Sequence, residues 1–175
     1  MSSHVFVDET KRRRYTLVAV IVPSADVARM RKSMRQLLLP GQERVHFRKE
    51  SDPRRKVILA RAASKSLAVV VVNSDANSDG AARRQCFDAL VRHLARQHES
   101  AHIVVEQDDS LVKSDMTLLT NLVRAVFQEQ QITFEITAAR FDPGLWCADA
   151  IGWAIQRGGS WRRRVEMHKI TSIEA

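Results

Sequence analysis

Residues 15–22 (YTLVAVIV) constrain the fold more than any other segment, because they form an uninterrupted apolar and β-branched run. A strand with one solvent-facing side alternates apolar and polar residues, whereas a strand covered on both sides is apolar throughout. Helices packed on both faces of a sheet are the usual cover for such a strand. The run therefore predicts an interior strand of an α/β domain.

Strand-like and helix-like segments alternate along the rest of the chain. No repeat and no linker rich in Pro, Gly or Ser divides it, which predicts one domain over residues 1–175. The order ββαβαβαβαβα favours an α/β sheet with helices on its faces. The predicted strands are 4–9, 15–22, 45–49, 67–72, 101–107 and 132–137, and the predicted helices are 24–39, one that begins at Asp52, 81–98, 115–128 and 144–157.

Length and apolar content narrow the class of protein. A chain of 175 residues buries enough surface to fold without a disulfide or a structural metal. Its longest apolar runs fall far short of the ~20 residues that span a bilayer, and no signal segment opens the chain. We therefore expect a cytoplasmic protein in which Cys86 and Cys147 are free thiols.

The net charge of +8 is distributed unevenly. Residues 1–65 hold 16 Lys and Arg against 6 Asp and Glu, whereas residues 66–175 hold 12 against 14. A basic excess confined to one third of the chain predicts a surface that faces a polyanion, most simply nucleic acid. The alternative is a solvated face that only maintains solubility.

Asp149 is the sharpest anomaly, since its predicted helix is apolar on nearly every side. Its neighbours at helical spacing include Leu145, Trp146 and Trp153. A carboxylate in such surroundings must be paired, hydrogen-bonded, protonated or bound to a cation, because burying it unpaired is costly. Asp149 is therefore a candidate metal ligand, and the alternative is an Asp bonded to a backbone N–H or an Arg.

Two further acids leave apolar strands. Asp8 continues the strand face of Phe6, and Glu106 continues the face of Val104, with Asp108 after it. Acids on adjacent strands, together with one on a helix crossing their ends, would form an oxygen-ligand site for Mg²⁺. Two such ions roughly 4 Å apart activate a water and stabilise the leaving oxygen of a phosphodiester. The alternative for Asp8 is a turn residue between two strands.

His46 and three basic groups complete the candidate site. His46 shares a predicted strand face with Arg48 and Glu50 and would orient a water or a phosphate. The alternative for it is a half-buried strand with charged edge residues. Trp161 would stack on a base or fill the core. The candidate nucleic-acid-binding residues are Lys11, Arg12, Arg13, Lys49, Arg54, Arg55, Arg162 and Arg163.

Two other kinds of metal site are excluded by spacing. Residues 75–80 match the first half of a calcium loop, but Cys86 stands where that loop requires a bidentate Glu. The chain has no CxxC, and His93 and His98 do not share a helix face, which excludes zinc.

In four segments the chain resembles the actinobacterial branch of the Domain of Unknown Function 3800 family. These are VFVDETK with the apolar strand after it, GQERVHFRKESDPRRK, VVEQDDS and LWCADAIGWAIQRGGSWRRRV. The resemblance covers residues 4–165. DETK replaces the family's commoner DESG and LWCAD replaces LQ-AD, but both changes leave Asp8, Glu9 and Asp149 in place.

That family is placed with RNase H-like, retroviral-integrase-like folds. The resemblance implies a mixed central sheet whose first three strands are antiparallel, with helices on both faces. It also implies three acids that bind Mg or Mn: Asp8, then Glu106 or Asp108, then Asp149. An RNase H order places the second acid after the fourth strand, which is 67–72 in the predicted order. Asp75 is therefore the alternative candidate for the second acid. Helix 24–39 and strand 132–137 would be additions that cover the cleft or form a homodimer surface.

Two functional hypotheses follow. The first is a Mg²⁺- or Mn²⁺-dependent nuclease-like domain that cleaves phosphodiesters of DNA or RNA, with Asp8, Glu106 and Asp149 as metal ligands. Glu9 and Asp108 would be auxiliary acids in it. The second is a non-catalytic module on the same fold that binds nucleic acid or assembles with protein. Convergence of the three carboxylates would favour the first, whereas carboxylates too far apart to share an ion, with Asp149 simply bonded to an Arg or the backbone, would favour the second. A closed deep pocket would favour small-molecule phosphoester chemistry instead.

Overall fold

The computed structural model describes residues 2–11, 14–62, 67–97, 100–126 and 131–175. Within them the strands form one mixed sheet in the order β5-β4-β1-β2-β3-β6. The strands are β1 (Ser2–Thr10), β2 (Tyr15–Pro23), β3 (Ala68–Ser74), β4 (Ser100–Glu106), β5 (Gln131–Thr137) and β6 (Lys169–Glu174). The helices are α1 (Ser24–Arg35), α2 (Asp52–Ala62), α3 (Asp79–Gln97), α4 (Val112–Val126), α5 (Pro143–Arg157) and α6 (Gly159–Arg163).

The first three strands are antiparallel, as the family resemblance implies, although the third of them is Ala68–Ser74 and not the predicted 45–49. β1 pairs with β2 and β2 with β3 in antiparallel register, whereas β4, β5 and β6 join by parallel pairing. The apolar run of β2 is buried from Tyr15 to Val22, because strands flank it and helices cover both of its faces. The prediction of an interior strand in an α/β sheet is confirmed.

Two hydrophobic cores lie on opposite faces of the sheet. The first packs α1, α2 and α5 against side chains such as Phe6 and Val18. The second packs α3 and α4 against side chains such as Val7 and Leu17. Alternate residues of one strand therefore enter different cores. Asp8 follows the parity of Phe6 and faces α5, whereas Glu9 faces α3.

The predicted third strand, 45–49, is wrong. Phe47–Lys49 is a 3₁₀ turn, in which the N–H of Lys49 donates to the carbonyl of His46 (2.9 Å) and the N–H of Glu50 to that of Phe47 (3.2 Å). Val45 and Phe47 are both buried, so the alternating pattern reflected two anchors of a turn. Five residues do not distinguish such a turn from a short strand.

Removing that strand changes the count of the others. The predicted fourth strand becomes β3, and β4, which ends at Glu106, becomes the fourth. Glu106 therefore ends the fourth strand, the position that the resemblance implies for the second acid, whereas Asp75 follows the third. Two C-terminal elements were not predicted: α6 and β6, which adds to the sheet beside β3.

Helix α5 approaches the sheet closely because two of its residues are glycines. A Cβ on Gly144 would lie 2.2 Å from the Phe6 ring, and a Cβ on Gly152 would lie 3.4 Å from the Asp8 Oδ2 atom. Asp142 caps the helix by accepting a hydrogen bond from the Gly144 N–H (2.8 Å) and receives the Arg31 guanidinium (Nε to Oδ1, 2.9 Å). The glycines bring the Asp149 face of α5 onto β1.

Helix 24–39 and strand 132–137, which were expected as additions to the minimal fold, lie in different parts of the structure. Helix α1 contacts α5, α2 and the first two strands, so it belongs to a packed layer. Strand β5 extends the sheet beyond β4. Their use as a homodimer surface stays a prediction. Among the described helices, none is both long enough and apolar enough to cross a bilayer.

Candidate active site

An open cleft of about 730 Å³ lies at the end of β1, against α5. Its centre is acidic, and four cationic side chains, from Lys11 to Arg157, lie around it. Its walls come from the end of β1, the 3₁₀ turn, α2, α5 and α6. The lining residues are Asp8, Glu9, Thr10, Lys11, His46, Arg48, Asp52, Arg55, Asp149, Trp153, Gln156, Arg157 and Trp161.

Asp8 and Asp149 form the acidic centre. The Asp149 carboxylate accepts a hydrogen bond from the Phe47 N–H (3.2 Å), which the 3₁₀ turn presents. Among the described residues, none donates a hydrogen bond to the Asp8 carboxylate. One of the two acids is therefore held by the backbone, and the other keeps its oxygen lone pairs open.

Both carboxyl groups are pushed toward their neutral forms. Burial raises the pKa of Asp8 well above its usual range, and the charges of Asp149 and Glu106 raise it further. Burial also raises the pKa of Asp149, against the lowering effects of the Phe47 N–H and of His46. Two acids that repel one another in a poorly solvated position create a demand for positive charge.

Glu106 lies beside Asp8 at the end of β4 and raises its pKa, but it does not line the cleft and already has a counter-ion. It follows the in-register pair Val7 and Val105, which places it beside Asp8 on the α5 side of the sheet. The Arg44 guanidinium pairs with it (Nη1 to Oε1, 2.8 Å) and also lowers the pKa of both Asp8 and Asp149. In the described part of the chain, no group of three His, Cys, Asp or Glu side chains is already arranged to hold a metal ion.

Glu9 lies on the opposite face, in a buried polar network. Its carboxylate accepts from the Arg83 guanidinium and from the Tyr15 hydroxyl, and the Lys11 ammonium lies 3.7 Å away. Arg83 in turn makes a bidentate pair with buried Asp115 (2.8 and 2.7 Å). Glu9 is therefore committed to these partners.

Asp108 and Asp75, the other two acids considered, are exposed. Asp108 accepts from the N–H (2.9 Å) and hydroxyl (2.6 Å) of Ser110, and these hydrogen bonds lower its pKa. It lines a neighbouring cavity of about 590 Å³, which Glu106 also lines and which shares Asp8 and Glu9 with the cleft. Asp75 pairs with Arg14 (2.8 Å) beyond the end of β3. Neither lines the cleft.

His46 lines the cleft from the residue before the 3₁₀ turn, and not from a strand. Its Nδ1 atom is buried and, among the described residues, has no hydrogen-bond partner. A buried ring nitrogen without a partner is normally satisfied by an ordered water or another bound group.

The predicted nucleic-acid-binding residues fall in different places. Lys11 and Arg55 line the cleft, and Arg162 lines a neighbouring cavity. Arg54 instead holds α2 in place, by donating to Glu50 (2.9 Å) and to the Leu37 carbonyl (2.8 Å). The remaining predictions fall elsewhere: Lys49 and Arg163 are exposed and line neither cavity, and Arg12 and Arg13 lie outside the described residues.

Sequence reasoning missed several cleft residues, some of which had a detectable signal. Trp153, Gln156 and Arg157 follow Asp149 by four, seven and eight positions, which is the spacing of one helix face. Arg48 and Arg157 have no carboxylate partner within the described residues, so their charges are free for an anion. Arg44 had no local signal, because its role depends on β4, far away in sequence.

Asp8→Asn is expected to stabilise the protein in EDTA at neutral pH. The folded-state pKa of Asp8 lies above the unfolded value of about 3.9, so the native state binds the extra proton and stability falls as pH rises between the two values. The neutral amide removes this loss. Urea unfolding from pH 3 to 8 should show that the free energy of unfolding of the wild type equals that of Asp8→Asn at the acid end and falls increasingly below it as the pH rises. A deficit that is constant with pH would contradict this assignment.

Comparisons with known proteins bear on the fold. No family's sequence model matches the chain, and no curated protein matches it. A chain in the solved structure of the PCNA:RNase HII complex from Archaeoglobus fulgidus matches with a TM-score of 0.54 and 19% identity, over 95% of this chain and 74% of that chain. The resemblance to the Domain of Unknown Function 3800 family stays a prediction. The shared mixed sheet, with its first strands antiparallel, shows that this chain has an RNase H-like fold.

Proposed function

We propose that this protein is a divalent-metal-dependent nuclease-like domain that cleaves phosphodiesters of DNA or RNA. The observation that carries the proposal is the meeting of the Asp8 and Asp149 carboxylates in an open cleft among basic side chains. A substrate that is itself a polyanion needs the basic rim, and the acids at the centre need a cation.

The chemistry of the donor set fits Mg²⁺ or Mn²⁺. Asp8 and Asp149 supply carboxylate oxygens, which hard divalent ions prefer, and Glu106 would be the third ligand once released from Arg44. A bound ion would supply an activated water and stabilisation of the leaving oxygen. The raised pKa values of both aspartates mark a position where positive charge is favourable.

The chain's own residues position the substrate around this centre. Arg48 and Arg157, which lack carboxylate partners among the described residues, would bind the phosphates on either side of the scissile bond. The His46 ring, which lines the cleft, would orient a water or a phosphate oxygen. Arg55 donates to the carbonyls of Phe47 (3.1 Å) and Arg48 (2.6 Å), so it holds the turn that positions His46 and Arg48.

The Arg44–Glu106 ion pair favours a second candidate function, a non-catalytic module that binds nucleic acid or assembles with protein. Arg44 is the built-in counter-ion of the acidic centre, since it pairs with Glu106 and lowers the pKa of both aspartates. The described residues also hold no ready group of three ligands. If Arg44 keeps that role when nucleic acid is bound, the cleft has no need of a metal ion.

The test compares wild-type protein with Mg²⁺, with Mn²⁺ and with EDTA. We expect labelled single-stranded and duplex oligonucleotides to be cleaved only with metal. We also expect the metal alone to stabilise the fold by about 2.7 kcal/mol at a hundredfold excess over Kd, seen as a rise in Tm of roughly 5–10 °C. Oligonucleotide binding without cleavage, and without any metal-dependent rise in Tm, would establish the non-catalytic module instead.

A further inference from the structure

A second cavity, of about 310 Å³, adjoins the active-site cleft. Gln156 lines both spaces, so the cleft continues past this side chain toward β3 and β6. The side-chain Oε1 atom of Gln156 accepts a hydrogen bond from the Thr10 hydroxyl, which holds the Gln156 side chain at the boundary between the two spaces. The two cavities therefore form one groove that begins at Asp149.

The groove continues across a row of polar residues on neighbouring strands. Thr10 is opposite Thr16, Thr16 is opposite Asn73, and Asn73 is opposite Glu174. The Thr16 hydroxyl donates to Asn73 Oδ1 (2.9 Å), and Asn73 Nδ2 donates to Glu174 Oε1 (3.2 Å). Three interstrand spacings give the row a length of roughly 14 Å. These hydrogen bonds hold the row together, and its members Thr16 and Asn73 line the second cavity.

The second cavity is suited to an anion. Arg14 and Arg162 line it, and no Asp or Glu does so among the described residues. The Nη2 atom of Arg14 is held by Asp75 and Glu174, whereas its Nε–H is buried and has no partner in the described part of the chain. Arg162 is exposed, and its nearest acid, Glu166, is 3.9 Å away. Arg162 therefore has donors free for an anion, whereas Arg14 lines the cavity with its Nη2 atom already paired.

An aromatic wall bounds the other end of the groove, beside the acidic centre. Trp153 and Trp161 lie with ring centroids 5.3 Å apart at an interplanar angle of 86°, and Arg55 lies over Trp153 at 4.8 Å. Both indoles line the cleft and are only partly buried. Aromatic and guanidinium surfaces stack on bases that are unpaired, whereas a duplex keeps its base faces inside.

We propose that this groove binds single-stranded nucleic acid. An unpaired base stacks beside Trp161 in the cleft, and the backbone passes Gln156 to reach Arg14 and Arg162. The inference rests on the proposed function only in taking the cleft as the reaction centre, and strand binding itself requires neither metal nor cleavage.

Binding is measured by fluorescence anisotropy in EDTA, with a labelled oligo(dT) of about 12 nucleotides and a duplex of equal length. We expect wild-type protein to bind the single strand about tenfold more tightly than the duplex. Arg162→Ala should weaken single-strand binding about tenfold and reduce the slope of log K against log salt by about 0.7.

Arg163→Ala is the matched control. Arg163 is an exposed arginine on the same helix and lines neither cavity, so its loss removes the same charge without touching the groove. Intrinsic tryptophan fluorescence gives a second readout: single strands should quench it, and the quench should shrink in Trp161→Phe. Equal losses in Arg162→Ala and Arg163→Ala, or equal affinity for duplex, would overturn the proposal.

These measurements separate the groove from the proposed chemistry. Metal-dependent cleavage together with equal effects of the two arginine variants would reject the groove alone. Selective single-strand binding in EDTA without any metal-dependent cleavage would reject the nuclease function alone.

Discussion

Asp149→Asn is expected to abolish metal-dependent cleavage while the fold survives. Removal of a ligand should cost at least the 10- to 100-fold that is lost when an outer-shell partner is removed. Asparagine keeps the shape of the side chain and a carbonyl oxygen for the Phe47 N–H. Because burial raises the pKa of Asp149, the neutral amide should leave stability in EDTA unchanged or higher. The measurement is the cleavage rate with Mn²⁺, paired with thermal unfolding with and without the ion.

Asp52→Asn is the control for a simple loss of negative charge from the cleft. Asp52 lines the same space but is exposed and pairs with Arg55 (2.7 Å). This variant should lose much less activity and should keep the metal-dependent rise in Tm. Equal cleavage by Asp149→Asn and wild-type protein would remove Asp149 from the reaction centre.

Arg83→Met is expected to produce the largest loss of stability. Arg83 makes a bidentate pair with Asp115, whose side chain is 2% exposed, and it also donates to Glu9 and Tyr15. Removing it leaves a buried carboxylate without a counter-ion, which costs about 3–5 kcal/mol. For a chain of this size the Tm should fall by roughly 10 °C. Thermal and urea unfolding measure the effect.

Two companion variants make this result specific. Arg84→Met changes the neighbouring arginine, which is exposed, and should be nearly neutral. The double variant Arg83→Met/Asp115→Leu should recover much of the loss, because replacing both partners of a buried pair is far cheaper than replacing one. A loss in Arg83→Met no larger than that in Arg84→Met would show that the network does not support the fold.

The Arg83 network also explains why adjacent acids have different environments. Glu9 follows Asp8 directly, but strand alternation sends it to the α3 face, where Arg83 and Tyr15 bind it. Asp8 faces α5 and receives no hydrogen bond from the described residues. The motif Asp8-Glu9 therefore supplies one open carboxylate and one that anchors the end of β1.

The layered sheet could be predicted because strand and helix periodicities are local. The β-branched run of β2 and the helical spacing of α5 need no knowledge of the partner elements. Asp149 stood out for the same reason, since an acid among apolar neighbours is visible within one helix. The 3₁₀ turn at Phe47–Lys49 was missed because two buried anchors mimic strand alternation over five residues.

By itself, the sequence determined the α/β layering and singled out Asp8 and Asp149 as candidate acids, because each follows from spacing within one element, whereas the antiparallel start of the sheet followed from the family resemblance. Only the tertiary structure decided how those acids are compensated. Arg44 reaches Glu106 across 62 positions, and Phe47 donates to Asp149 across 102. Likewise, the excess of basic residues near the N-terminus became a rim only where α2, α5 and the end of β1 meet. Contacts of this kind depend on how elements pack, and no local pattern encodes which distant charge will lie nearest.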